Sequence, residues 1–78
     1  GGIRITWMGV KSDNYRPPYV DIYLPMAYSG FAKATVSDDG GATFSYGTEM
    51  IGNNIVRVYC KQSGNIGFSL HVIGWANF

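Results

Sequence analysis

The side chains able to do chemistry in this chain are few, and they fall mainly in loops. Asp13, Asn14, Tyr15 and Arg16 stand together ahead of Pro17 and Pro18. A sugar site needs hydrogen-bond donors and acceptors for paired hydroxyls, and a ring to stack on the apolar sugar face; this loop holds all of those types. The alternative is a solvated loop stiffened by the two prolines. Asp38 and Asp39 precede Gly40 and Gly41. Clustered carboxylates suit Ca²⁺, but the further ligands of a calcium loop are missing and Asp-Gly is a hairpin-turn signal. Asn53 and Asn54 follow Gly52 in a third loop. Receptor contacts are expected at Asp13, Asn14, Tyr15, Arg16, Asp38, Asp39, Asn53 and Asn54, because binding residues favour loops carried on a rigid scaffold.

Catalysis finds little support. Cys60 and His71 are the single cysteine and the single histidine. A dyad between them would need both on one face, yet Cys60 alternates with Val56 and Val58 and reads as a small buried hydrophobe. Asp38 and Asp39 point opposite ways if extended, and Asp13, Asp21 and Glu49 show no informative spacing. One histidine and one cysteine offer no metal cluster within a chain, and the usual reading of a lone strand histidine is a polar or interface residue. No cofactor, no metal and no enzymatic activity are expected.

The elements that must carry these residues are strands. Gly or Pro recurs throughout, and the longest window free of both is residues 53–63, which is β-branched and aromatic. Helix-interior Gly and Pro cost about 1 and 3 kcal/mol, so no ordinary helix remains. Alternation predicts strands over residues 3–10, 19–24, 31–37, 55–61 and 68–73, short ones over 43–46 and 48–51, and a final strand or apolar tail over 75–78. The first sets Ile3, Ile5 and Trp7 against Arg4, Thr6 and Met8. Val20, Ile22, Leu24, Ala32, Ala34, Val36, Val56, Val58, Cys60, Phe68, Leu70 and Val72 form the expected inward rows. Regular strand and turn spacing gives an all-β fold, a small antiparallel β-sandwich of about six to seven short strands.

The chain has 78 residues and 8.5 kDa, one domain spanning 1–78 with no room for a second core. Ordering it costs about 1.5 kcal/mol per residue, close to what so small a core returns. Neither a disulfide nor a structural zinc is available as a staple, which leaves oligomerisation. Six basic against five acidic residues give net +1. That offers no electrostatic case for nucleic acid or an anionic membrane. An OB or cold-shock-like barrel binding single strands through its aromatics is the alternative in that class, but no RNP-like aromatic cluster is present. The longest uncharged stretch, residues 62–78, contains Ser, Asn, His and Gly and is no membrane span. The outward faces are also unusual. Tyr19, Tyr23, Phe31 and Tyr59 point away from the expected core, beside Asp21, Lys33, Arg57 and Lys61. Tyr and Arg are enriched in interfaces, so Tyr19, Tyr23, Arg57, Tyr59 and His71 are expected between protomers.

The order of motifs resembles the C-terminal domain of bacteriophage or prophage tail fibres. A first strand, Gly2-Ile-Arg-Ile-Thr-Trp7, ends in Trp. A second leads into Leu24-Pro25-Met26-Ala27-Tyr28, and a Gly67-Phe68 strand runs to Trp75-Ala76-Asn77-Phe78. The family has Trp-Gly where Trp7-Met8-Gly9 stands, and Trp-Ile-Ala where Trp75-Ala76-Asn77 stands. The plan is also similar to that of H-type lectins, small trimeric sugar-binding sandwiches. The resemblance implies a homotrimeric tip at the distal end of a fibre in the virion, cut from a longer chain. Its partner would be a bacterial surface polysaccharide or an outer-membrane protein, bound without catalysis. A carbohydrate-binding accessory module of a depolymerase is the alternative within that class.

Overall fold

The computed structural model describes residues 1–41 and 44–77. Six strands appear in chain order: β1 (Gly2–Tyr15), β2 (Tyr19–Tyr23), β3 (Ala32–Asp38), β4 (Gly47–Met50), β5 (Ile55–Tyr59) and β6 (Gly64–Ala76). They form two antiparallel three-stranded sheets, β1-β6-β3 and β2-β5-β4, packed as a sandwich. The inner faces meet over Val56 and Val58 of β5 and Phe68, Leu70 and Val72 of β6, all fully buried. Facing sheets interdigitate their inward rows at about 10 Å separation, and Tyr15, Leu24, Tyr28, Ala34, Cys60 and Ile66 complete the buried cluster around this line.

Two strands are longer than alternation predicts. β6 runs unbroken for 13 residues through the expected loop at 64–67 and the expected break at Gly74. β1 extends to Tyr15, pairing Lys11 with Gly67 and Ser12 with Ile66, with an irregular register between Ser12 and Tyr15. Glycine punctuates sequence without ending a strand when another strand lies on it. Gly74 is such a case: a Cβ there would meet the Phe31 carbonyl and lie 2.7 Å from Ala32 Cα. Gly64 begins β6 at φ +90°, a conformation that favours glycine. The short expected strand at 43–46 is not a strand over its described residues 44–46, and Thr43 lies outside them. Phe78 of the expected 75–78 tail also lies outside; residues 75 and 76 finish β6.

The first strand keeps its predicted alternation but turns its apolar row outward. Ile3, Ile5 and Trp7 face solvent, while Arg4, Thr6, Met8 and Val10 face inward. Tyr28 explains the choice. Its ring is buried between the sheets, and its hydroxyl pairs with Thr6 Oγ1 at 2.8 Å and donates to the Val72 carbonyl at 3.1 Å. The Arg4 guanidinium lies 4.3 Å from the centre of the Tyr28 ring and donates to the Met26 and Ala27 carbonyls at 3.0 and 2.6 Å. A buried phenol needs polar partners, and Thr6 on the polar row of β1 supplies one beside the Val72 carbonyl of β6.

The antiparallel registers define two ends. Gly1, connection 24–31, connection 51–54 and Asn77 lie at one, which we call the base: Leu24 and Tyr28 donate backbone N–H groups to Asn54 and Asn53, and Ser29 donates to Trp75. Residues 16–18, 39–41, 44–46 and 60–63 lie at the opposite end, the tip, where Asp39 N–H bonds to Gly67 and Cys60 N–H to Pro18.

Gly74→Ala is expected to destabilise the domain by about 1–3 kcal/mol, the usual cost of overpacking. For a chain of this size about 4–8 °C of midpoint is lost per kcal/mol. Thermal melts measure it; an unchanged midpoint would contradict the close approach of β3 to β6.

Candidate functional site

The tip gathers most of the predicted receptor residues, but it does not use them all alike. Asp13, Asn14 and Arg16 are exposed there. Tyr15 is not: only 5% of it is accessible. Its hydroxyl donates to the Cys60 carbonyl at 2.7 Å and accepts the Cys60 N–H at 3.1 Å. Tyr15 thus fastens the end of β1 to the end of β5, and the expectation of a ring offered to a ligand is corrected by that burial. Desolvation pushes its phenol upward.

Asp38 and Asp39 are held in local hydrogen bonds. Asp38 accepts the Tyr46 hydroxyl and the Gly40 N–H, each at 2.9 Å, a turn closed by its own side chain. Asp39 accepts Ser69 Oγ at 2.7 Å. Burial and the nearby Asp38 carboxylate push the Tyr46 phenol strongly upward. Asn53 and Asn54 lie at the base, where their carbonyls hold connection 24–31. They cannot share one contact surface with the tip residues.

Two open clefts indent the tip. The larger, about 930 Å³, is lined by Pro17, Pro18, Phe44, Tyr46, Tyr59 and Lys61, among others. The Pro17–Pro18 peptide bond beside it is cis. The smaller, about 530 Å³, lies between Val10, Lys11, Asp38, Asp39 and Asn65. The larger cleft offers aromatic rings beside Lys61 and Gln62, the pairing of ring and polar group that a sugar requires. Phe44, Tyr46, Lys61 and Gln62 were missed as site residues because alternation assigned the first two to a strand. Nothing local marks the other two as neighbours of Pro17.

The predicted protomer-interface residues divide between the two outer faces. Tyr19, Tyr23, Arg57 and Tyr59 share the outer face of β2-β5-β4. Arg57 is its centre, set by register between Asp21 and Glu49. It makes a two-point ion pair with Asp21 at 2.9 and 3.2 Å and stacks 3.9 Å from the centre of the Tyr19 ring. Tyr59 packs edge-on to Tyr19 and donates to Glu49 at 3.0 Å. The hydrogen bond from Arg57 holds the Asp21 carboxyl below its usual range, and the one to Glu49 raises Tyr59. Arg57 thus neutralises Asp21, while Glu49 is held by the neutral Tyr59 hydroxyl. His71 stands on the other sheet, exposed and stacked on Trp7 with centroids 6.0 Å apart. Cys60 is buried on the inner side of β5, so the sandwich core separates the two and no Cys60–His71 dyad forms. Among the described residues no three His, Cys, Asp or Glu side chains cluster as a metal site.

Tyr15 and Tyr46 set an alkaline limit. Their folded values lie above the ordinary 10.0. The stability of the neutral phenols is thus fully present below about pH 10 and lost as pH rises through the folded values. Urea unfolding between about pH 8 and 11.5 is expected to show falling stability above 10, less steeply in Tyr46→Phe; a profile of equal slope in that variant would contradict the assignment. In comparisons with known proteins the chain matches no family model, no curated protein and no solved structure.

Proposed function

We propose that this chain is a non-catalytic, self-associating recognition domain, the receptor-binding tip of a phage-type tail fibre, that binds a bacterial surface glycan or outer-membrane protein. The observation that carries the binding half is the tip cleft. It lies at the tip, away from the base connections 24–31 and 51–54 and from the apolar half of the β1-β6-β3 face. Its rings and its polar rim of Ser45, Lys61 and Gln62 suit a sugar ring with hydroxyls. The sequence resemblance supports the fibre setting. The small core without a disulfide or structural zinc supports self-association, and the count of three is what the resemblance implies.

The test is binding of the labelled domain to bacterial cells and to polysaccharide purified from them. Lys61→Glu together with Gln62→Ala is expected to weaken binding about tenfold or more, with circular dichroism unchanged, as for loss of a central contact. Binding unaffected by both substitutions would overturn the cleft assignment. Salt-dependent retention of single-stranded DNA would favour the barrel reading.

A further inference from the structure

The outer face of β1-β6-β3 carries an apolar surface that neither the core nor the tip uses. Antiparallel pairing places opposite residues on one face. Ile3 stands beside Trp75, Ile73 lies between Ile5 and Lys33, and His71 lies between Trp7 and Thr35. Phe31 joins the first of these rows, its carbonyl accepting the Trp75 N–H at 2.7 Å. Ile3, Ile5, Trp7, Phe31, Ile73 and Trp75 are each 46–69% exposed. Toward the tip the same face turns small and polar, with Gly9, Ser69 and Ser37 in one row. The apolar half is thus the half next to the base.

We infer that copies of this chain pack against one another through the apolar half of this face. The inference refines the assembly part of the proposed function and moves the contact away from Tyr19, Tyr23, Arg57 and Tyr59. Area is the first argument. At roughly 150–250 Å² for a whole large side chain, the exposed fractions of the six residues together amount to roughly 500–900 Å². Surface patches on monomers are usually about 300–600 Å², whereas a stable interface takes about 800 Å² from each partner. Charge is the second. Lys33 is the one charged side chain in the three rows, so facing copies bring little repulsion together, and no basic rim is present to hold an anionic lipid surface. Shape is the third. An apolar sheet face turned toward a three-fold axis meets the same face of both neighbours, and alternation keeps its apolar rows on one side. The tyrosine face differs: it carries Asp21, Glu49 and Arg57, so facing copies would bring like charges together, and it stays available to a ligand.

The molecule carries its own reporter. The chain has two tryptophans, Trp7 and Trp75, and both lie on this face. Light scattering and tryptophan emission are measured together across a dilution series, with acrylamide quenching at each step. The expected result is a mass near three times 8.5 kDa, with blue-shifted, protected emission that shifts red as the particle dissociates. Ile5→Glu and, independently, Ile73→Lys replace exposed side chains and are expected to give folded monomers associating at least about tenfold more weakly. Tyr23→Glu is expected to leave the assembly intact. The inference is overturned by a wild-type monomer with water-exposed emission at all concentrations. An assembly broken by Tyr23→Glu but not by Ile5→Glu or Ile73→Lys overturns it too, as does a blue shift appearing only with phosphatidylcholine–phosphatidylglycerol vesicles. Cell binding is read on the same samples. A monomer that binds cells removes this inference and keeps the receptor reading; an assembly that binds none does the reverse.

Discussion

Everything in this domain depends on the two-residue period of β6. As the centre of its sheet, it pairs with β1 on one side and β3 on the other. Its inward row, Ile66, Phe68, Leu70, Val72 and Ala76, is the largest single contribution to the core. A slip of one residue would exchange that row for Ser69, His71, Ile73 and Trp75, placing a histidine and an indole where the opposing valines of β5 sit. The same period therefore fixes the core and exports the apolar surplus. Ile73 and Trp75 are outside because Val72 and Ala76 are inside.

Arg4 and Tyr28 settle the matching question for β1. Two faces compete for the core, and the row with Ile3, Ile5 and Trp7 is the more apolar. It loses because Tyr28 brings a hydroxyl into the interior and Arg4 brings two hydrogen bonds to the base connection. Losing Thr6 as a partner of that hydroxyl would cost about 0.5–1.5 kcal/mol. The polar row is turned inward to serve one buried ring, and a hydrophobic row is left on the surface as a consequence.

Much of this was legible in the sequence. Alternation placed Val56, Val58, Cys60, Phe68, Leu70 and Val72 inward and put Tyr19, Tyr23 and Tyr59 outward. Gly74 and the loop-like run at 62–67 hid the true length of β6, because a glycine beneath a crossing strand reads like a turn. Tyr15 read as a binding residue because its partner, Cys60, is 45 positions away and no local pattern links them. Asn53 and Asp38 read as one surface because loops carry no record of which end of a sandwich they occupy. Which row of β1 faces the core also rests on a distant residue, Tyr28, and could not be read from the strand.

The resulting particle has a division of labour. Its base half carries apolar side chains on one sheet, its tip carries clefts with aromatic walls, and its second sheet carries tyrosines around the Arg57–Asp21 pair. Small-angle X-ray scattering over a concentration series tests this division most directly. The isolated chain has a Cα radius of gyration of 12.7 Å. The account predicts a larger radius that falls toward that value on dilution, with a forward-scattering mass of three chains at the high end. A radius that stays near 12.7 Å at every concentration, with the mass of one chain, would contradict it.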